Sequence, residues 1–462
     1  MRWLGLGLIA AEVVVVGLAF DPGAQPAFAL PKSAASRALS YALALAVGLF
    51  LFRHPIARPA GPAWAALAAF LGLSAVATAV GLHPYTALFG SPDRLLGLSA
   101  LLEGALLALA VAVMVRGQRD ALLIARALEV TVALIVLYAL VQAAGRDPLR
   151  WAEGTLASTL GNTTVLGGYL ATAASLLAAT LAGTWRGLGR AERVALAVVA
   201  VLAAFIVVDR GGRAATLGLL AGLACVSLVV LRRIGARPRL RRRALLALGA
   251  AAGLSVAVAA VAAGPGAMER LERLVRPTDS STTERVQIYR AALEAIAQHP
   301  LFGVGPDSFI AVYPSVRPLE VAAVSGPAQA QSSTHSWLLH HAVGSGLPGA
   351  AAIVAAALLA LWRAWRAAPG RLAPTLGFVG LAAFLAHGLV SVSHLGTESL
   401  FWLSLGRALA PRVELAVHPL PGEGGRKLGR SAGSLDRGAG GERIVAAVIL
   451  ATGVVLAATT WA

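Results

Sequence analysis

The feature that most constrains this chain is a series of apolar runs, most of them long enough to cross a bilayer. They lie near 3–20, 38–52, 64–81, 95–115, 121–143, 164–183, 192–208, 213–231, 244–263, 336–362, 371–393, 398–410 and 443–461. A spanning helix needs roughly 17–25 apolar residues. Lipid gives the backbone no hydrogen-bond partner, so each run must satisfy its own amides and carbonyls. The runs at 38–52 and 398–410 are short. The pattern therefore predicts an all-α polytopic membrane protein of about 12 (11–13) transmembrane helices.

Composition agrees. The set AVILMFWYC supplies 58% of the 462 residues and charged residues 13%, against roughly 45–50% and about 25% in soluble domains. A soluble enzyme, a disordered chain and a disulfide scaffold are all excluded. Cys225 is the one cysteine, which rules out an intramolecular disulfide or a thiolate cluster. Arg2, an apolar run to Phe20 and then Ala27-Phe28-Ala29 look like a signal peptide. Glu12 within the run and the many spans after it favour an uncleaved first helix.

The net charge is +17, and apart from Lys32 and Lys427 every basic residue is arginine. With the N-terminus placed inside, Arg53, Arg58, Arg116, Arg119, Arg126, Arg186, Arg190 and Arg193 fall on the inner side. So do the run RRIGARPRLRRR from Arg232, then Arg363, Arg366 and Arg371, and the basic residues from Arg407 to Arg443. The outer side is close to neutral. This is a positive-inside pattern, so the charge reports topology, and RRIGARPRLRRR reads as an inner anchor rather than a nucleic-acid site.

The organisation expected is a transmembrane bundle over 1–263, an outer helical loop over 264–335 and further transmembrane helices over 336–410. A Gly/Arg-rich inner linker over 411–442 and a last span over 443–462 follow. In the outer segment an amphipathic helix is expected near 266–276. A second helix follows, capped by Ser281-Thr282-Thr283-Glu284, with Val286, Tyr289, Leu293 and Ile296 on one face. Pro300 ends it, and 314–334 reads as a loop.

Three outer residues are chemically suggestive. Arg213 and Arg285 each stand at a helix N-terminus, where a cation opposes the helix dipole. Either they snorkel or pair with Asp209 and Glu284, or they form an anion site, since arginine forks bind phosphate oxygens. His335 stands where the outer loop re-enters the membrane. It is an ordinary interfacial residue or a proton acceptor. No HExxH or paired-carboxylate signal accompanies these residues, so a metal site is not expected.

The chain resembles the O-antigen ligase family over about residues 85–410. LFGSPDRLLGL is similar to a family stretch through Gly90, Arg94, Gly97 and Leu98, and GNTTVLGGYLA through Gly161, Asn162, Gly168, Tyr169 and Leu170. RAATLGLL matches through Arg213 and Gly218. ERVQIYRAALEAIAQHPLFGVGPDSF matches through Arg285, Pro300, Gly303, Gly305 and Phe309. HSWLLHHAVGSGLPG matches through His335, Leu339, Gly346 and Gly349, and FWLSLG resembles the family's closing short span. Ser336, Tyr289 and Gly344 depart from the pattern, where Asn, Trp and an acid are usual.

The resemblance implies a GT-C-like, metal-independent and inverting glycosyltransferase, with no cofactor, at the outer face of the bacterial inner membrane. The donor implied is a glycan on undecaprenyl pyrophosphate, and the acceptor a glycan or glycolipid. His335, Arg213 and Arg285 would be catalytic. Arg210, Arg290, Arg94, Asn162, Tyr169, Tyr313 and His340 would line the substrate site. A polymerase with the same chemistry is the alternative. A lipid-linked sugar transporter is the third reading; Glu12, Glu103 and Glu129 favour it, and the lack of an internal repeat opposes it.

Overall fold

A computed structural model describes residues 1–53, 61–149, 156–234, 280–318, 330–368 and 371–410. All regular structure among them is helical. In chain order the helices are α1 (Arg2–Leu18), α2 (Ala29–Arg53), α3 (Pro62–Val80), α4 (Pro84–Phe89), α5 (Leu98–Met114), α6 (Gln118–Ala143) and α7 (Thr163–Thr184). They continue as α8 (Arg190–Arg210), α9 (Gly212–Ile234), α10 (Ser280–Gln298), α11 (Phe309–Val316), α12 (Trp337–Ala367), α13 (Leu372–Gly388) and α14 (Leu395–Leu409). Seven of these are long and apolar enough to cross a membrane, and Leu98–Met114 and Leu372–Gly388 are shorter apolar helices. The protein is a polytopic membrane protein. The expected elements at 244–263, 266–276, 411–442 and 443–461 lie outside the described residues, as do the side chains of the expected cap at Ser281-Thr282-Thr283.

α7 is apolar all round and buried nearly all round, as a central helix should be. It packs on α8, α9 and α13. Small residues allow the close approach: a Cβ on Gly167 would sit 2.6 Å from the Gly211 Cα, and one on Gly222 would sit 2.1 Å from Ser175 Oγ. Since lipid tails are as apolar as leucine, such contacts rather than exclusion from water hold membrane helices together.

Three expectations need correction. The run at 38–52 is only the second half of α2, which begins at Ala29. The added turns carry Lys32 and Ser36, which hydropathy alone rejects. They bury against α1 and its end, where Lys32 Nζ donates to the Ala19 carbonyl at 2.6 Å and Ser36 Oγ to Glu12. On α10 the buried face is Ile288, Ala291, Ala292, Ala295 and Ile296, while Val286 and Leu293 are exposed. Alanines facing α11 and α12 permit the contact, so residue size rather than hydropathy selects the face. Finally, the loop expected from 314 begins later, because Phe309, Val312, Tyr313 and Val316 bury one face of α11.

α12 is broken. Gly346 takes φ 70° and ψ 175°, and Pro348 follows. The break leaves backbone groups unpaired, and the turn at Pro300–Gly305 satisfies them. The Val304 and Gly305 amides donate to the Val343 and Gly344 carbonyls at 2.9 and 3.0 Å, and the Leu347 amide to the Pro300 carbonyl at 2.8 Å. A Cβ on Gly346 would lie 2.2 Å from the Leu301 oxygen. Ahead of the break, Trp337 packs edge-on to Phe384 and tilted against Phe401. At the break, Ser345 meets Ser74 of α3, Oγ to Oγ, at 2.8 Å. The first part of α12 thus runs from the α13–α14 side of the bundle to the α3 side, carrying its histidines with it.

Gly346→Ala combines left-handed backbone with a backbone clash. It is expected to destabilise the folded protein by about 2 kcal/mol or more. Thermal unfolding in detergent should show a lowered midpoint. An unchanged midpoint would show that the break does not require glycine.

Candidate active site

The ends of these helices bring together segments that are far apart in sequence. The Pro300–Gly305 turn leads into Asp307, which is 1% exposed and has φ 54°. Its Oδ2 accepts from the Ser91 amide at 2.9 Å, the Ser91 hydroxyl at 3.0 Å and the Leu96 amide at 3.0 Å. Its Oδ1 lies 3.6 Å from Arg94 Nε and 4.0 Å from His340 Nε2. Burial raises the Asp307 carboxyl above the ordinary carboxylate range, while Arg94 and the Leu96 and Ser91 donors pull it down.

Arg94 continues the chain of contacts. Its Nη1 donates to the Ser332 carbonyl at 2.8 Å, three residues before His335. Nε and Nη2 are buried and make no hydrogen bond among the described residues, which leaves donors for a further acceptor. His335 itself has φ 51°. Its amide donates to Ser333 Oγ at 3.1 Å, and its carbonyl accepts from Tyr289 Oη at 3.2 Å. Its Nδ1 is buried with no hydrogen-bond partner among the described residues. Burial first, then the Arg285 and Arg94 charges, push the imidazole down to about 4. It is therefore neutral at pH 7 and can accept a proton.

Arg285 is half-buried in the second turn of α10, one turn later than expected because that helix starts at Ser280. Its Nη1 donates to the Val390 carbonyl at 3.1 Å, just past α13. Arg213, half-buried, lies in the first turn of α9. α9 packs along α13, where a Cβ on Gly218 would sit 2.8 Å from His387 Cβ. Arg213 lies five residues before Gly218, about 7 Å along the α9 axis by helix rise.

The other expected residues divide. Arg94 and His340 join the cluster. Arg210 and Arg290 are exposed, and Arg210 Nε pairs with Asp209 at 2.8 Å. Asn162 is the N-cap of α7, accepting from the Thr164 amide at 2.7 Å. Tyr169 is 1% exposed within the bundle, its hydroxyl near Gly17. Tyr313 is 2% exposed and packs against Phe309 in the core beneath α10.

Sequence reading missed Asp307, the Tyr289 hydroxyl and His387. Asp307 follows Gly-Val-Gly-Pro, and an acid after so tight a turn was the available signal. Both His387 ring nitrogens are buried without a hydrogen-bond partner among the described residues. The ring fits because Gly168 and Gly218 leave room for it. Nothing in the local sequence around His387 marks it.

Asp307→Asn keeps the shape but removes the charge facing Arg94. Breaking one side of a buried pair costs roughly 3–5 kcal/mol. Amide exchange at 91–96 and 330–335 should accelerate together in the variant. Unchanged exchange in both segments would show that Asp307 does not hold them.

A family model described as O-antigen ligase matches residues 198–354, the stretch that carries Arg213, Arg285, Asp307, His335 and His340. No curated protein sequence matches the chain. The chain is thus a multi-pass membrane protein whose residues 198–354 match the O-antigen ligase family model.

Proposed function

We propose that this protein is a membrane glycosyltransferase that moves a glycan from undecaprenyl pyrophosphate to an acceptor hydroxyl at the outer face of the inner membrane. About 12 spans would carry the site, with the segment 264–335 outside. The arginine distribution along the chain supports this orientation. The observation that carries the reading is a half-buried His335 with a buried Nδ1, under the influence of both Arg285 and Arg94, within the matched family domain.

The chemistry follows. Outside the cytoplasm no nucleotide activates the sugar, so the pyrophosphate must be the leaving group. The acceptor oxygen attacks the anomeric carbon from the face opposite the pyrophosphate, which inverts the configuration. The glycosidic C–O bond breaks, and its electron pair leaves with the pyrophosphate. Arg213 and Arg285 would bind that growing charge, with Arg94 contributing its free Nε and Nη2 donors. His335 would take the acceptor's hydroxyl proton. Tyr289 and Ser333 hold the His335 backbone in its left-handed turn.

The residues that depart from the family pattern have structural work here. Ser336 Oγ accepts from the Leu339 amide at the start of α12. Gly344 lets the loop approach, since a Cβ there would lie 3.1 Å from Pro306 Cα. A polymerase joining repeat units would use the same groups. Its distinguishing mark is the acceptor, a second lipid-linked glycan.

The test is transfer by the purified protein from an undecaprenyl-pyrophosphate glycan. Activity should persist in EDTA. Arg285→Lys should lose at least about tenfold, because an ammonium lacks the planar fork that grips phosphate oxygens. EDTA inactivation reversed by Mg²⁺, or full activity of Arg285→Lys, would contradict the arginine-based mechanism.

A further inference from the structure

Directly beneath the Asp307–Arg94 cluster, α1, α2, α5, α12 and α14 line a partly open pocket with about 480 Å³ of empty space, solvent at its mouth included. Its polar wall is Glu12, Ser36, Glu103, His340, His341 and Glu398. His340 is shared with the candidate site, since the same ring lies 4.0 Å from Asp307. Glu12 and Glu398 are each 6% exposed. The Oε2 atom of each has no hydrogen-bond partner among the described residues. At the rim Glu103 accepts from Arg37 Nε at 2.9 Å, and Arg37 also donates to Ser99 Oγ. The Trp402 indole completes an apolar side. Gly104 gives it room, since a Cβ there would lie 2.2 Å from Trp402 Nε1.

Carboxyl groups inside a membrane protein are costly unless something engages them. Each of these two keeps one oxygen, Oε2, without a partner among the described residues, in a pocket that shares His340 with the candidate site, and the donor's pyrophosphate is assigned to the arginines. We propose that this cavity is the acceptor subsite, and that it takes the uncharged, hydroxyl-rich end of a glycan or glycolipid and rejects an anionic sugar. The proposal rests on the transferase reading. Sugar hydroxyls donate to the free Glu12 and Glu398 oxygens, and the aliphatic and indole wall covers the C–H face of the ring. A carboxylate or phosphate on the acceptor would meet those same oxygens. Of the nearby cations, Arg37 is engaged by Glu103, and Arg94 faces Asp307 and is assigned to the donor's pyrophosphate.

The experiment uses the full chain in detergent-free nanodiscs, with dodecyl glucoside and dodecyl glucuronide as probes in calorimetric titration. At about pH 8.5, chosen so that Glu12 and Glu398 carry charge, the glucoside should bind at least about tenfold more tightly than the glucuronide, since like charges at close quarters are strongly unfavourable. Glu12→Gln and Glu398→Gln should each shrink that preference, and Ala100→Leu, which fills the cavity wall, should weaken the glucoside. Equal binding of the two probes, no binding of either, or a preference untouched in both Gln variants would overturn the proposal. Undecaprenyl pyrophosphate binding is measured in parallel. If Arg285→Ala leaves it intact, the transferase reading fails, whatever the glycosides do; if it falls while the probes bind alike, only the acceptor subsite fails.

Discussion

The candidate site depends on one buried carboxylate. Asp307 receives donors from Ser91 and Leu96 and faces Arg94 and His340. A buried charge of this kind is costly unless it is paired, and removing one member leaves the others stranded. Through Arg94 the same carboxylate reaches Ser332, and so the backbone that presents His335. The loop before α5, the turn after α10 and the start of α12 are therefore one unit. Left-handed backbone at Leu95, Asp307 and His335 clusters there too, as expected where surrounding contacts over-determine the chain.

The broken α12 makes that unit possible. A continuous helix would satisfy its own carbonyls and offer nothing to the Pro300–Gly305 turn. Because Gly346 interrupts it, the Val343 and Gly344 carbonyls accept from Val304 and Gly305 instead. Irregular backbone at membrane level is tolerated only where protein covers it or a cavity adjoins it. Here the same short stretch supplies His340 and His341 to the cavity below.

Much of the fold was legible in the sequence. Lipid imposes a length and an apolarity on each span, and both are local properties of the chain. The first turns of α2 were not legible, because Lys32 and Ser36 are acceptable only through partners on α1 and at its end. The buried face of α10 was misread for a similar reason: alanines suit a close neighbour, and the neighbour is set by tertiary packing. In the candidate site, Arg94, Arg285, His335 and His340 were found from motifs and topology. Asp307 escaped because its role lies in contacts to residues more than 200 positions away. Asn162 caps α7, accepting from the Thr164 amide.

His335, the proposed base, has a proton affinity lowered first by burial and then by the Arg285 and Arg94 charges. Burial with Arg285 and Arg94 holds the free imidazole near 4, so base function should be present above that pH and lost as pH falls through it. Anionic donor between the arginines cancels part of their field and should raise the value. The pH–rate profile of reconstituted transfer tests this directly. The acidic limb of kcat/KM should lie near 4, and that of kcat at higher pH. In His335→Gln transfer should fall by about 10²–10⁴-fold, and the residual rate should show neither limb. Near wild-type turnover by that variant, or an acidic limb that survives in it, would contradict the account.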